Sequence, residues 1–321
     1  MNNYWGICRQ SSYWKKLVWV ILCVGVFLNR STAASSEGVA ILKSADISAY
    51  SEVITAFTSA LPSSFQITGE YDLQGDIAKG RSVIQRIRAS KAKVLLAVGL
   101  KATLAAKLEI QDIPVIFCLV LDPERYALPT SNMVGLSMEV PFRQHLKPLS
   151  TLVPKVSRIG VLFDPQKTIG MQRQLLLDAK ALGIKIVSEE VHHEQDVARG
   201  LNAIKNRIDA LWLLPDSTVL TENTLDFLMS TTLEANIPVV GFSRGLVRSG
   251  AVVGVYTDYA DFGKQAAQLS QQLIGPTSSS LSLMGTIIPP ERLHQSINQK
   301  SARYLSLSLT PDILRQFDEH F

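Results

Sequence analysis

A carboxylate followed by two hydroxyls, Asp216-Ser217-Thr218, stands directly behind six uncharged residues, Ala210 to Pro215. Placed at a strand end, Asp216 and Ser217 could take a ligand's ammonium group through charge-assisted hydrogen bonds. The same residues also suit the cap of a helix starting near Thr221. The apolar run is too short for a helix core and fits a parallel strand covered on both faces. Pro215 cannot donate to a ladder, so the strand's carboxyl end opens into a crevice, where open α/β sheets bind ligands. A second such end is KVLLAVGLKAT, Lys93 to Thr103, with Ser44 closing the short run VAILKS. Gly99 admits close approach of backbone N–H groups, and the helix start around Thr103 favours a carboxylate. A tight strand-to-helix turn accounts for Gly99 equally well. Asp122-Pro123 and Asp164-Pro165 follow two further strands, where they either line a cleft or begin a turn. Phe242, Ser243, Tyr256 and Asp258 close two more, and an aromatic ring there either stacks on a flat ligand or fills core.

Other chemistry is poorly represented. His192 and His193 stand near Glu190 and Asp196, but adjacent residues of a strand point to opposite faces and no further His lies nearby. Glu189 and Glu190 suit an exposed strand end better than paired acid and base work, which needs both to converge on one pocket. No Walker A or G-x-G-x-x-G string occurs. The expectation is a non-catalytic chain with no metal and no cofactor.

The elements that must position these residues alternate. Val39 to Ser44 is a strand, Ser48 to Leu61 a helix with Val53, Ile54 and Phe57 on one face, Phe65 to Tyr71 a strand, and Ile77 to Ile87 a helix. A strand at Val94 to Val98, a helix from Lys101 to Glu109 and a strand from Ile113 complete a β-α-β series, which calls for a parallel sheet with right-handed crossovers. The order then recurs from Arg158, and QDIPVIF near Gln111 is echoed by ANIPVVG near Ala235. Each half adds a fifth strand, Asn132 to Met138 and Ala251 to Tyr259, followed by an amphipathic helix. Gly275 to Ser280 is a loose linker. The fold class is α/β, two doubly wound parallel-sheet lobes joined by a hinge.

The chain has 321 residues, 46% hydrophobic and 19% charged, enough for two globular domains. Of its 32 basic residues, Arg9, Lys15, Lys16 and Arg30 precede Ala34, where no acidic residue lies; the remaining 28 balance 28 acidic ones. A neutral body speaks against nucleic acid, whose phosphates need clustered Lys and Arg. Residues 1–33 read as an export signal: a basic start, twelve apolar residues from Leu17 to Leu28, and small residues at Ser31 and Ala33. A retained anchor is the rival, though a bilayer span takes about 20 residues. Val20, Ile21 and Leu22 precede Cys23, so no lipidation signal surrounds that cysteine. The expectation is a periplasmic monomer. Cys118, inside IPVIFCLV, reads as a buried thiol without a disulfide partner.

VAILKS, LLAVGLKAT, DIPVIF with LVLDPERYAL, LVPKVSRIGVLFDP, DALWLLPDSTVL, SGAVVGVYTDYADFGKQAAQL and INQKSARYLSLSLTP occur in this order across nearly the whole mature chain. Together they resemble the periplasmic substrate-binding components of ABC transporters, of the tryptophan/tyrosine type. Two departures are Lys91-Ala92-Lys93 in place of a Pro-Asp pair and the missing lipid-attachment cysteine. The resemblance implies a type I periplasmic-binding fold. Lobe one would comprise 34–138 plus 258–284, lobe two 139–257 plus 285–321, and hinge motion would close them on a small solute, an amino acid or similar zwitterion. The implied partner is an ABC permease. A ligand-sensing module for a membrane kinase or receptor, and an α/β enzyme using the same crevice, are the alternatives.

Overall fold

The computed structural model describes residues 37–274 and 282–321. The segment read as an export signal, Cys8, Cys23 and the Gly275 to Ser280 linker lie outside them. In the first half the strands are β1 (Glu37–Lys43), β2 (Phe65–Asp72), β3 (Val94–Val98), β4 (Val115–Cys118) and β5 (Met133–Leu136). The helices α1 (Ser48–Ala60), α2 (Gly80–Ala89) and α3 (Leu100–Glu109) connect the first four. The second half begins with α4 (Phe142–Leu152) and carries β6 (Arg158–Phe163), β7 (Lys185–Glu190), β8 (Ala210–Trp212), β9 (Val239–Gly241) and β10 (Val253–Tyr256). Between these strands run α5 (Pro165–Ala181), α6 (Val197–Ile204), α7 (Glu222–Glu234) and α8 (Arg244–Arg248). Then come α9 (Tyr259–Ile274), β11 (Thr286–Ile288), β12 (His294–Ile297), α10 (Gln299–Tyr304), α11 (Pro311–Leu314) and β13 (Glu319–His320).

The strands form two sheets, ordered β11-β5-β4-β3-β1-β2 and β13-β12-β10-β9-β8-β6-β7. The first five strands of each half are therefore arranged alike, and in both the order reverses at the first strand, beside the third. Pairing is parallel except between β10 and β12, which run antiparallel. Alternation along each strand explains why these runs are apolar throughout. Val39 and Ile41 pack with Val53, Phe57 and Phe262 on one face, while Ala40 and Leu42 pack with Ile84, Ile87 and Ala102 on the other. In the second sheet Ile159 and Val161 join Leu149 and Leu175, and Leu162 joins Leu201 and Leu228.

Although it follows β10, α9 packs against the first sheet. Its Gly263 meets α1 backbone to backbone: a Cβ there would overlap the Val53 carbonyl oxygen and stand 2.7 Å from Phe57 N. β11 also pairs in the first sheet, with Thr286 opposite Val134 and Ile288 opposite Leu136. Residues 286–288 thus belong with the first lobe, which corrects the expected return to lobe two at 285. The chain passes between the sheets three times, at 137–141, 257–258 and 289–293. A second correction concerns the run Ala210 to Pro215: its strand stops at Trp212, although Leu213 N still donates to Val240 O at 3.0 Å. Cys118 is buried, and burial pushes its thiol up to about 12. No described helix is long and apolar enough to cross a membrane.

Asp209 secures the far end of the second sheet from the cleft. Its carboxylate accepts hydrogen bonds from Ser157 N and Oγ (3.0 Å each), Arg158 N (2.8 Å), and Arg158 Nε and Nη2 (3.1 and 2.6 Å), tying the starts of β6 and β8 together. Burial alone would raise its pKa, but the Arg158 and Ser157 bonds outweigh that and hold it at about 2, against an ordinary 3.8. A folded-state pKa below the unfolded value gives stability that is present above the unfolded value and lost as pH falls through the folded one. Asp209→Ala is therefore expected to lower unfolding free energy by about 2–3 kcal/mol at neutral pH. In denaturant titrations repeated at decreasing pH, the gap to wild type should narrow between 3.8 and about 2.

Candidate functional site

The strand ends that the sequence singles out turn out to be closed by their own hydrogen bonds. Asp164 follows β6 and Asp216 follows β8, neighbouring strands at the reversal point of the second sheet. Asp216 is 1% exposed. Its Oδ2 accepts from Asp164 N and Thr168 Oγ1 (2.7 Å each), and its Oδ1 from Thr218 N (2.9 Å) and Val219 N (3.3 Å). Asp164 in turn accepts from Gln166 N at the start of α5 and from Thr218 Oγ1 (2.7 Å). Burial would raise the Asp164 carboxyl, but these two bonds prevail and lower it. Ser217 points outward and accepts from Lys167 Nζ (2.9 Å).

The first sheet repeats the pattern. Ser44 Oγ donates to Val98 O (3.0 Å) and accepts from Ala102 N (2.9 Å), so the hydroxyl itself covers the start of α3. Thr103 is fully buried, and its hydroxyl donates to Gly99 O (2.8 Å). Gly99, at φ 86° and ψ 168°, occupies backbone space that only glycine tolerates. A Cβ there would stand 2.8 Å from Ser44 Oγ. Asp122, at a left-handed φ of 46°, sits at the lobe boundary, its Oδ2 4.0 Å from where a Cβ on Gly170 of α5 would be.

The cavity between the lobes lies to one side of these strand ends and encloses about 860 Å³. Of the residues expected from sequence, Phe242, Ser243, Tyr256 and Asp258 line it. Ser44, Gly99, Thr103, Asp122, Asp164, Asp216 and Ser217 do not. The crossing segments 137–141 and 256–259 form its back, and Glu52, Leu121 and Phe262 are contributed by the first lobe. From the second lobe come an aromatic group, Phe142, His145 and Trp212, and the α5 residues Met171 and Gln174. Phe142 and His145 each lie 5.0 Å from the Trp212 ring, centroid to centroid. Three polar atoms of this lining are buried with no hydrogen-bond partner among the described residues: His145 Nδ1, Trp212 Nε1 and Thr257 Oγ1.

A charge cluster occupies the end nearest the crossing strands. Arg244 Nη2 donates to Asp258 Oδ2 (2.6 Å) and Glu319 Oε1 (2.7 Å), and Nε donates to Glu319 Oε2 (2.8 Å). Tyr256 OH donates to Glu319 Oε2 at 2.9 Å. The Arg244 hydrogen bond holds Glu319 below the usual carboxylate range and raises Arg244 in return. Across the cleft, Glu52 is raised by burial and then by the charge and hydrogen bond of Asp258, against the pull of Arg244. Glu139, also in the lining, is raised by burial and by Asp122 and Glu124. Three carboxylates, Glu52, Asp258 and Glu319, therefore share one guanidinium, and the surplus negative charge suits a cationic group.

Sequence reasoning passed over Glu52, Arg244, His145 and Trp212, because each sits in a segment whose helical or strand pattern already accounts for it. It also passed over Gly241-Phe242-Ser243-Arg244-Gly245, which has the G-x-S-x-G spacing of a serine nucleophile turn. Here Ser243 is the N-cap of α8 in relaxed extended backbone, φ −150° and ψ 156°, and its hydroxyl accepts from Leu246 N (3.2 Å). No His is hydrogen-bonded to it among the described residues, and the hydroxyl serves as a helix cap.

Because Asp216 holds the reversal point together rather than facing the cavity, Asp216→Ala should act on stability. A loss of about 3 kcal/mol is expected in chemical denaturation, from four hydrogen bonds broken and buried donors stranded. A change below about 0.5 kcal/mol would show that the network is dispensable.

Comparison with known proteins agrees with this architecture. The family model described as ABC transporter substrate binding protein matches residues 68–320. A tyrosine-binding protein of Clostridioides difficile (strain R20291) is 24% identical over 209 residues, 63% of this chain and 60% of that protein's length. Among solved structures, the ligand-free, open form of a substrate-binding protein with adhesive properties from Clostridium difficile superposes with a TM-score of 0.75 at 20% identity, covering 88% of this chain and 98% of that one. An ABC domain from Streptococcus pneumonia in complex with L-Trp gives a TM-score of 0.64 at 17% identity, covering 89% of this chain and 100% of that one. Those two likenesses speak to the fold, type I periplasmic-binding-like, and the family match covers most of the chain. The chain belongs to the ABC transporter substrate-binding protein family.

Proposed function

We propose that this chain captures an aromatic amino acid in the cavity between its lobes and delivers it to the permease of an ABC importer, on the outer side of the cytoplasmic membrane. The observation that carries this reading is the pairing, in one cavity of about 860 Å³, of an apolar aromatic wall with a carboxylate-rich cluster. The aromatic wall takes a ring, and Asp258 with Glu52 takes the ammonium group. Arg244, already bridging two carboxylates, can turn one of its N–H groups toward the ligand's carboxylate as the cluster rearranges. β8 and β10 stand two strand spacings apart, about 10 Å, which is comparable with the length of an aromatic amino acid from ammonium to ring tip. The tyrosine-binding relative and the neighbour bound to L-Trp support the same ligand class.

Closure follows from linkage. A ligand that touches Glu52 and Phe262 on one lobe and Trp212 and Phe242 on the other makes its full set of contacts only when the lobes approach, so binding shifts the population to the closed form. The three crossing segments are the hinge.

Titration calorimetry of the purified protein against the aromatic amino acids tests this directly, with saturable one-to-one binding expected and no heat for any of them contradicting it. Asp258→Asn should weaken binding at least about tenfold, since a charge-assisted bond is lost. The pH dependence has a fixed sign. The ammonium group favours ionised Glu52, whose pKa is raised in the free protein. Binding should therefore release protons, and affinity should be flat around neutral pH and fall as pH drops through that raised value. Affinity that rises on acidification would contradict an ammonium partner in this cluster.

A further inference from the structure

From the balance of charge around the cavity we infer that it also takes aromatic monoamines, which carry a ring and an ammonium group but no carboxylate, and holds them more tightly than the corresponding amino acids. This inference rests on the reading above for the places of ring and ammonium, and it concerns what else the ligand carries. Four carboxylates line the cavity, Glu52, Glu139, Asp178 and Asp258, against one guanidinium, Arg244. His145, the other basic side chain of the lining, is kept neutral, since burial drives its pKa down to about 3. Glu52 and Glu139 are both pushed up, first by burial and then by neighbouring carboxylates, Asp258 for the one and Asp122 and Glu124 for the other. Asp178 accepts from the Gln174 amide (3.0 Å), which brings no positive charge.

The guanidinium is already engaged. Arg244 Nε and Nη2 grip Glu319 with two bonds, at 2.8 and 2.7 Å, and Nη2 spends its second N–H on Asp258 at 2.6 Å. Glu319 does not line the cavity, so it neutralises Arg244 without being available to a ligand. A ligand's carboxylate therefore meets Nη1 alone, or must displace Asp258 or Glu319 from the other nitrogens. In an α-amino acid one carbon joins the ammonium to the carboxylate. An ammonium seated between Asp258 and Glu52 thus carries its own carboxylate up against those two anions, and like charges so placed repel. A monoamine presents the same ring and ammonium, leaves every Arg244 bond unbroken and adds no negative charge to a lining that has a surplus. The aromatic end is served equally in both cases, because Phe142, Trp212 and Phe242 line the cavity whichever ligand enters. The surplus also draws a net cation into the cleft in preference to a zwitterion.

The probes are tyramine and L-tyrosine, which differ by the carboxylate alone, and L-tyrosinamide, which keeps the bulk at that carbon without the negative charge. Each is titrated calorimetrically into the full-length protein at neutral pH and low salt. Tyramine should bind at least about tenfold more tightly than L-tyrosine, since only the amino acid sets like charges together, and L-tyrosinamide should side with tyramine. Glu319→Gln takes away one negative charge and frees N–H groups of Arg244, so it should bring the ratio of the two affinities towards one. A merely structural role for Glu319 would weaken both ligands alike and leave that ratio where it was, and a ratio so unmoved would count against the charge argument. L-tyrosine binding as tightly as tyramine in wild type, or more tightly, would overturn this inference and leave the amino-acid reading standing. Tyramine binding without any amino acid would do the reverse, and binding of none of the three would end both. The wild-type comparison needs no variant to fold, and thermal unfolding of ligand-free Glu319→Gln confirms that its ratio is read on folded protein.

Discussion

A polar atom withdrawn from water must find a partner, and the ends of the sheets in this molecule meet that requirement in two different ways. At the reversal points, where strand order turns and a crevice would otherwise open, the chain supplies the partners itself. Asp216 takes four hydrogen bonds, Asp164 receives Thr218, and the single hydroxyl of Ser44 both donates to Val98 and accepts from Ala102. These carboxylates and hydroxyls are satisfied within the chain. Along the aromatic wall and the crossing strand, His145, Trp212 and Thr257 keep buried polar atoms without partners. An unmade buried hydrogen bond costs about 1–3 kcal/mol, which a group bound in the cavity could recover.

Electrostatics sharpens the same division. Asp209, at the opposite end of the second sheet, is matched to the guanidinium and backbone N–H of Arg158 and to the backbone N–H and hydroxyl of Ser157, and its carboxyl is stabilised as an anion. In the cleft, Arg244 is divided between Asp258 and Glu319, and Glu52 leans on Asp258 with its pKa raised. A cluster with more carboxylates than cations holds a proton more firmly than an isolated carboxyl does, and a ligand's positive charge would displace it. Because Glu52 rides on α1 of the first lobe and Arg244 on α8 of the second, a change of charge there acts on how the lobes meet. The close backbone contact at Gly263 keeps α9, and with it the crossing segment at 257–258, fixed to α1.

Much of the fold was legible in the sequence because buried parallel strands leave unbroken apolar runs. VAILKS, VLLAV and RIGVLF each became a strand, and the repeated β-α order gave two matching sheets. What escaped had weak local signals. β13 is two residues long and exists through its pairing with β12; β11 joins the first sheet because Met133 to Leu136 offers it an edge, which no residue of 286–288 announces. The apolar run to Pro215 overstated β8, since apolar character marks burial and Leu213 and Leu214 are buried beyond the ladder. The site was half legible. Strand-end reasoning singled out Phe242, Ser243, Tyr256 and Asp258, and these four line the cavity. Asp216 and Asp164 satisfied the same rule, but a short acidic side chain behind a strand serves the backbone as readily as a ligand, and only the three-dimensional partners distinguish the two. His145 and Trp212 gave no signal, as an aromatic residue in an amphipathic helix or buried strand reads as core.

The central claim is that a small zwitterion sits between Asp258 and Trp212 rather than at the ends of β6 and β8. A crystal structure of the protein grown with L-tyrosine measures this most directly. The account predicts density for the amino acid inside the cavity, its ammonium within hydrogen-bond distance of Asp258 or Glu52 and its ring against Phe142 and Trp212. Density at Asp164 and Asp216, with the cavity holding only solvent, would contradict it.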